Sequence, residues 1–113
     1  MDTTDSAQQV WIFIKETDQW HHKPLFLALL DLLRHEGIAG ATVIRGIAGF
    51  GAHSMLHTTR LLELSTDLPI VLEIVESDER LPALTAILDE MVVEGLVTIE
   101  KVRVLKYAAR PQS

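Results

Sequence analysis

Pro69-Ile70-Val71-Leu72-Glu73-Ile74-Val75 is the stretch on which the fold turns. Apolar and β-branched residues fill both alternating sets, and Glu73 is the exception. A strand that is apolar on both faces reads as one covered on both sides. Val10-Trp11-Ile12-Phe13-Ile14, far upstream, has the same character. Between the two, Leu25, Leu29, Leu32 and Leu33 recur at helical spacing with Ala28 on the same stripe. Pro24 suits the first turn of that helix, where its missing N–H costs nothing. Gly37 is its natural stop, so a helix is predicted over 24–36. Ala41-Thr42-Val43-Ile44 follows as a strand. Downstream of Val75, Ser77 or Asp78 is the expected cap of a second helix with Pro82 in its first turn. Leu84, Ile87, Leu88, Met91 and Val92 form its apolar stripe, and Gly95 ends it. Val97, Ile99, Val102, Val104 and Leu105 make a last strand that ends near Tyr107. The order β-α-β-β-α-β is the ferredoxin-like split βαβ motif. The expected class is α+β: a four-stranded antiparallel sheet with two helices on one face. Residues 1–8 and 109–113 read as tails around one domain over 9–108. The polar stretch Lys15 to Lys23 reads as a loop, and 52–66 as a hairpin-like excursion.

Composition narrows the function. With 48% apolar residues, 113 residues suffice for one buried core. The absence of cysteine excludes disulfides, thiolate metal sites and a cysteine nucleophile. The polar, acidic start Met1-Asp2-Thr3-Thr4-Asp5-Ser6 is unlike a signal peptide. No apolar run approaches the roughly 18 residues that suggest a membrane span. The cytoplasm is the expected location. A net charge of −6 opposes phosphate backbones, so nucleic acid is not an expected partner.

Two helices cover one face of such a sheet. Trp11 and Phe13 nevertheless alternate against Val10, Ile12 and Ile14, and Val71 and Val75 against Ile70, Leu72 and Ile74. An uncovered apolar face is rare on a soluble monomer, so a homo-oligomer that buries it is expected. The alternative is a monomer whose excursion 52–66 folds back over the sheet.

Gly37-Ile38-Ala39-Gly40-Ala41-Thr42-Val43, followed by Gly49-Phe50-Gly51, resembles the PII signalling proteins, in which that tripeptide leads into the long regulatory T-loop. A closer resemblance is to a family of small PII-like proteins of unknown function. It is carried by Asp18 through Leu25, Gly40-Ala41-Thr42-Val43-Ile44-Arg45-Gly46, Gly49-Phe50-Gly51, Asp67-Leu68-Pro69 and Glu94-Gly95-Leu96-Val97-Thr98, over about residues 10–107. The resemblance implies a homotrimer with ligand sites between subunits, typically for adenine nucleotides (AMP, ADP or ATP), with no covalently bound cofactor. It also implies signalling through 52–66. Some members of the closer family occur with fluoride-export channels, which implies a membrane channel or transporter as partner. The match has departures. Where PII proteins carry a glycine- and lysine-rich phosphate loop, this chain has Glu94-Gly95-Leu96-Val97, and a carboxylate repels phosphate. Residues 52–66 hold no tyrosine to be modified. A nucleotide with fewer phosphates than ATP fits more easily.

The candidate ligand-binding residues are Thr42, Gly49, Phe50, Gly51, His53, Arg103 and Lys106. The glycines let backbone N–H groups approach a ligand; their alternative is a bulge or tight bend with Phe50 plugging the core. Thr42 matches a ligand-contacting threonine of the PII pattern; its alternative is a strand threonine chosen for β propensity. His53 closely follows the Gly-Phe-Gly turn. Lys23, Arg45, Arg60, Arg103 and Lys106 are the cations placed to pair with phosphate, against ordinary surface ion pairing. His21, His22, His53 and His57, with His35, raise a second reading, a divalent-metal module similar to CutA-type trimers. Solvated loop histidines are the plainer reading. Ser54 and Ser65 lack a nucleophile-elbow pattern, and Asp89-Glu90 sit on a solvated helix face. No reaction centre is visible, and the chain is not expected to be an enzyme.

Overall fold

The core is assembled by strand β1 (Ser6–Lys15), whose Val10, Ile12 and Ile14 are 4% exposed or less. The computed structural model describes residues 6–50 and 67–108. A two-residue pair, β2 (Gln19–Trp20) and β3 (Lys23–Pro24), leads into helix α1 (Leu25–His35). Strand β4 (Ala41–Arg45), strand β5 (Pro69–Ser77), helix α2 (Leu81–Met91) and strand β6 (Leu96–Arg103) complete the chain. The four long strands form one sheet in the order β4-β5-β1-β6, with every neighbouring pair antiparallel. With both helices on one face, this is the ferredoxin-like βαββαβ arrangement expected from the apolar pattern.

Alternation sorts the residues as the sequence predicts. Ile70, Leu72 and Ile74 of β5 lie beside Val10, Ile12 and Ile14 against the helices. Leu25, Leu29 and Leu33 of α1 and Leu84, Leu88 and Met91 of α2 close that layer. Burying each such aliphatic side chain contributes about 1.5–3 kcal/mol. The opposite face carries Ile44, Val71, Phe13 and Leu96 in one cross-strand row. Phe13, Ile44 and Leu96 are 38%, 47% and 50% exposed in the single chain.

The helix ends are explained locally. Gly37 has φ +80° and donates its N–H to Arg34 O, while Ile38 donates to Leu33 O. These two bonds are a Schellman ending, which requires the left-handed residue that glycine supplies. Neither Ser77 nor Asp78 caps α2, contrary to expectation: the cap position is Arg80, with no side-chain bond. Ser77 is held in β5 opposite Ala7. The Asp78 carboxylate accepts bonds from Gln8 Nε2 (2.8 Å) and Ser6 Oγ (3.3 Å), tying it to β1 instead.

Three boundaries differ from the sequence reading. β1 starts at Ser6, where Ala7 is 1% exposed, inside the stretch read as tail. β6 stops at Arg103, and Leu105 is 95% exposed rather than part of a strand. Lys15 to Lys23 holds the β2–β3 hairpin rather than only a loop. His21 and His22, with φ of +51° and +69°, form its two-residue turn. Positive φ at both central residues is the pattern of a type I′ turn. The excursion 52–66 lies outside the described residues.

Candidate functional site

Thr42 stands on β4 with its side chain on the face away from the helices, directly across from Glu73 of β5. These two residues floor a cleft of about 420 Å³ lined also by Gly40, Ala41, Val75, Val104, Lys106 and Tyr107. That volume falls in the range of small-molecule sites. β5 places Val75 two residues beyond Glu73, so both point to the same side. The chain leaving β6 brings Val104, Lys106 and Tyr107 over them. The Glu73 carboxylate accepts a bond from Gln9 Nε2 at 2.7 Å, which orients it. Lys106 is the one cation among the lining residues. The cleft thus offers an acceptor pair at its floor, valine side chains and an aromatic ring at its walls, and an ammonium at its rim.

The rim is braced from the far side of the sheet. Tyr107 Oη donates to Ala39 O at 3.2 Å. Ala39 N–H donates to Glu76 Oε2 at 3.0 Å, and Glu76 is buried at 2% exposure. Its other carboxylate oxygen, Oε1, accepts from Ser77 N–H at 2.8 Å, and Arg80 Nε lies 4.0 Å from Oε2. A buried carboxylate is stable only when bonded in this way.

Of the sequence-predicted residues, the structure brings Thr42 and Lys106 to one cleft. Arg103 ends β6 at the opposite edge of the sheet and alternates with Val97 toward the helix side, away from that cleft. Gly49 lies at the other end of the sheet, where a Cβ would meet Pro69 Cγ at 3.2 Å. Its close approach is to that proline. Phe50 is 88% exposed, so it does not plug the core. Gly51, His53, His57 and Arg60 lie outside the described residues. Arg45 is committed to Glu16 at 3.0 Å. His21 stacks on Trp20 with ring centroids 4.5 Å apart. Among the described residues no group of three or more His, Cys, Asp or Glu converges to hold a metal. No helix among them is long and apolar enough to cross a membrane. Sequence reasoning missed Glu73 and Tyr107. Glu73 was signalled as the one charge in an apolar strand, while nothing local marks Tyr107.

The fold is that of the PII-like proteins. CPII from Thiomonas intermedia K12, solved bound to ADP and bicarbonate, superposes with a TM-score of 0.65 at 18% identity, covering 90% of this chain and 91% of that one. A putative PII-like signaling protein from Thermus thermophilus gives a TM-score of 0.57 at 19% identity, covering 86% and 87%. At these identities the likeness is one of fold. The profile of the family DUF190, described as "Uncharacterized ACR, COG1993", matches residues 7–104. A UPF0166 protein of Aquifex aeolicus (strain VF5) is 34% identical over 96 residues, covering 83% of this chain and 89% of that protein. A UPF0166 protein of Methanocaldococcus jannaschii is 30% identical over 101 residues, covering 88% and 93%. The chain therefore belongs to the DUF190 family, within the PII-like fold.

Proposed function

We propose that this protein is a PII-like regulator that binds an adenine nucleotide in the cleft between β4, β5 and the C-terminal segment. The observation that carries the reading is the meeting of Thr42, Glu73 and Lys106 at one apolar-walled cleft. The hydroxyl and the carboxylate accept bonds from an exocyclic amino group or from ribose hydroxyls. Val75 and Val104 suit a flat heterocycle, and Lys106 pairs with phosphate. The bound ADP of CPII, a protein of the same fold, supports this choice. One lining cation, and Glu94 where a phosphate loop would need a base, favour ADP or AMP over ATP. The regulator is a homotrimer that buries the open sheet face. Gly49, Phe50, Gly51, His53 and Arg103 complete each site from a neighbouring subunit, next to the loop 52–66. That loop then signals to a membrane channel or transporter.

Thermal melting of the purified chain against AMP, ADP, ATP and divalent ions tests the reading. A ligand that binds the folded state alone raises the melting temperature by mass action. ADP or AMP is expected to raise it, and Thr42→Val to weaken ADP binding about tenfold, the loss of one buried polar contact. No shift with any nucleotide overturns the proposal, and a shift with a divalent ion alone replaces it with metal binding.

A further inference from the structure

We infer that residues 104–107 are a strap across the nucleotide cleft, and that the Tyr107 hydroxyl latches it by its bond to the Ala39 carbonyl. The inference deepens the proposed nucleotide site and rests on that reading for its ligand; the strap itself rests on geometry. β6 and β4 lie at opposite edges of the sheet, three strand spacings apart. At about 4.8 Å each, that is about 14 Å. The four steps from Arg103 to Tyr107 span at most about 14 Å when fully extended. The segment crosses the open face, and the length of the Tyr107 side chain supplies the remaining reach to Ala39. Where its far end is fixed decides where Val104 and Lys106 sit.

Both ends are built differently. The near end is β6 itself, laddered to β1. At the far end, the Tyr107 bond is the only side-chain hydrogen bond the strap makes to another described residue. Its receiving post is itself hydrogen-bonded. Ala39 follows the Schellman turn of α1, and its N–H is held by the buried carboxylate of Glu76. Ala39 is thus gripped through its N–H from the helix side and through its carbonyl from the open face. Val104 and Lys106 line the cleft while Leu105 is 95% exposed, the alternation of an extended segment. Releasing one hydroxyl opens the roof without breaking a rung of the sheet. Tyr107 is a positioning residue: it sets how long a nucleotide stays.

Tyr107 is the only tyrosine of the chain, so it can be watched alone. The full-length protein carrying 3-fluorotyrosine gives one fluorine resonance. Without ligand, a shift distinct from that of the urea-unfolded chain is expected, and a coincident shift overturns the latch whether or not nucleotide binds. Dissociation of a fluorescent ADP analogue, followed by stopped flow, is expected to be about three- to tenfold faster in Tyr107→Phe, as loss of one partly exposed hydrogen bond gives. Association and melting temperature should be nearly unchanged, because the ring remains and the sheet is intact. An unchanged dissociation rate with ADP still bound overturns the latch and leaves the nucleotide site standing. Absence of ADP binding by the natural protein overturns the proposed function, while the fluorine shift still decides the strap.

Discussion

The two ends of the open sheet face are made by the same four strands, and they differ in what lies over them. At one end the strap of residues 104–107 lines one cleft with Thr42, Glu73 and Val75. At the other, Ile44, Val71, Phe13 and Leu96 form a cross-strand row that no described residue roofs. The covered end is polar and bonded within itself: Gln9 donates to Glu73, and Trp11 Nε1 reaches Glu100 at 3.5 Å. The row at the bare end has no polar side-chain atom to satisfy and an apolar area to remove from water. On the proposed reading the first end takes the nucleotide and the second meets another copy of the chain.

The bare row gives the largest expected effect. Phe13→Glu sets a carboxylate in the middle of the row, where assembly would bury it unpaired. Light scattering is expected to show oligomers for the natural protein and single chains for the variant, both with the same far-ultraviolet dichroism, since Phe13 points away from the core. A natural protein that is monomeric at micromolar concentration would break the comparison at its bare end.

Next in size is a backbone effect. Gly95, in the turn between α2 and β6 at the bare end, has φ +143°, and a Cβ there would meet Phe13 O at 2.6 Å. Gly95→Ala is expected to lose about 2–3 kcal/mol in chemical denaturation through that strain. Gly40, which lines the cleft at the covered end, has nothing within 4 Å of its Cβ position. Gly40→Ala should stay within about 0.5 kcal/mol. Equal losses would mean that the two ends are braced alike.

The elements that sequence made legible are those whose signal is local. Val10–Ile14 and Ile70–Val75 announce themselves as apolar runs, and α1 is bounded by Pro24 and Gly37. The β2–β3 hairpin was hidden because its turn is His21-His22, without the Asn-Gly signal that such a turn usually carries. The α2 cap was misplaced because Asp78 is drawn to Ser6 and Gln8, about seventy residues away, as the pairing of β1 with β5 demands. The site shows the same limit. Thr42 and Lys106 were singled out from the family resemblance and as a cation near the end of the last strand. That they share a cleft depends on the strand order and on the strap. Tyr107 meets Ala39 across 68 residues, and no spacing rule reaches that far. The sequence reading also names both Arg103 and Lys106 as cations placed to pair with phosphate. They are three residues apart, but β6 ends between them, and the chain's crossing separates them.

That separation leads to the smallest expected effect. Lys106 lines the cleft with no ion-pair partner among the described residues, whereas Arg45, at the bare end, is paired with Glu16 at 3.0 Å. A cation already paired has little attraction left for a phosphate, and an exposed pair contributes little to stability. Calorimetric titration with ADP is therefore expected to show about tenfold weaker binding for Lys106→Ala, the scale of one charge-assisted contact. For Arg45→Ala the change should be under about twofold, with stability nearly unaltered. Raising the salt concentration should narrow the Lys106 effect by screening. If Arg45→Ala instead proved the more damaging, the phosphates would lie toward the bare end, and the strap would cover something other than the nucleotide.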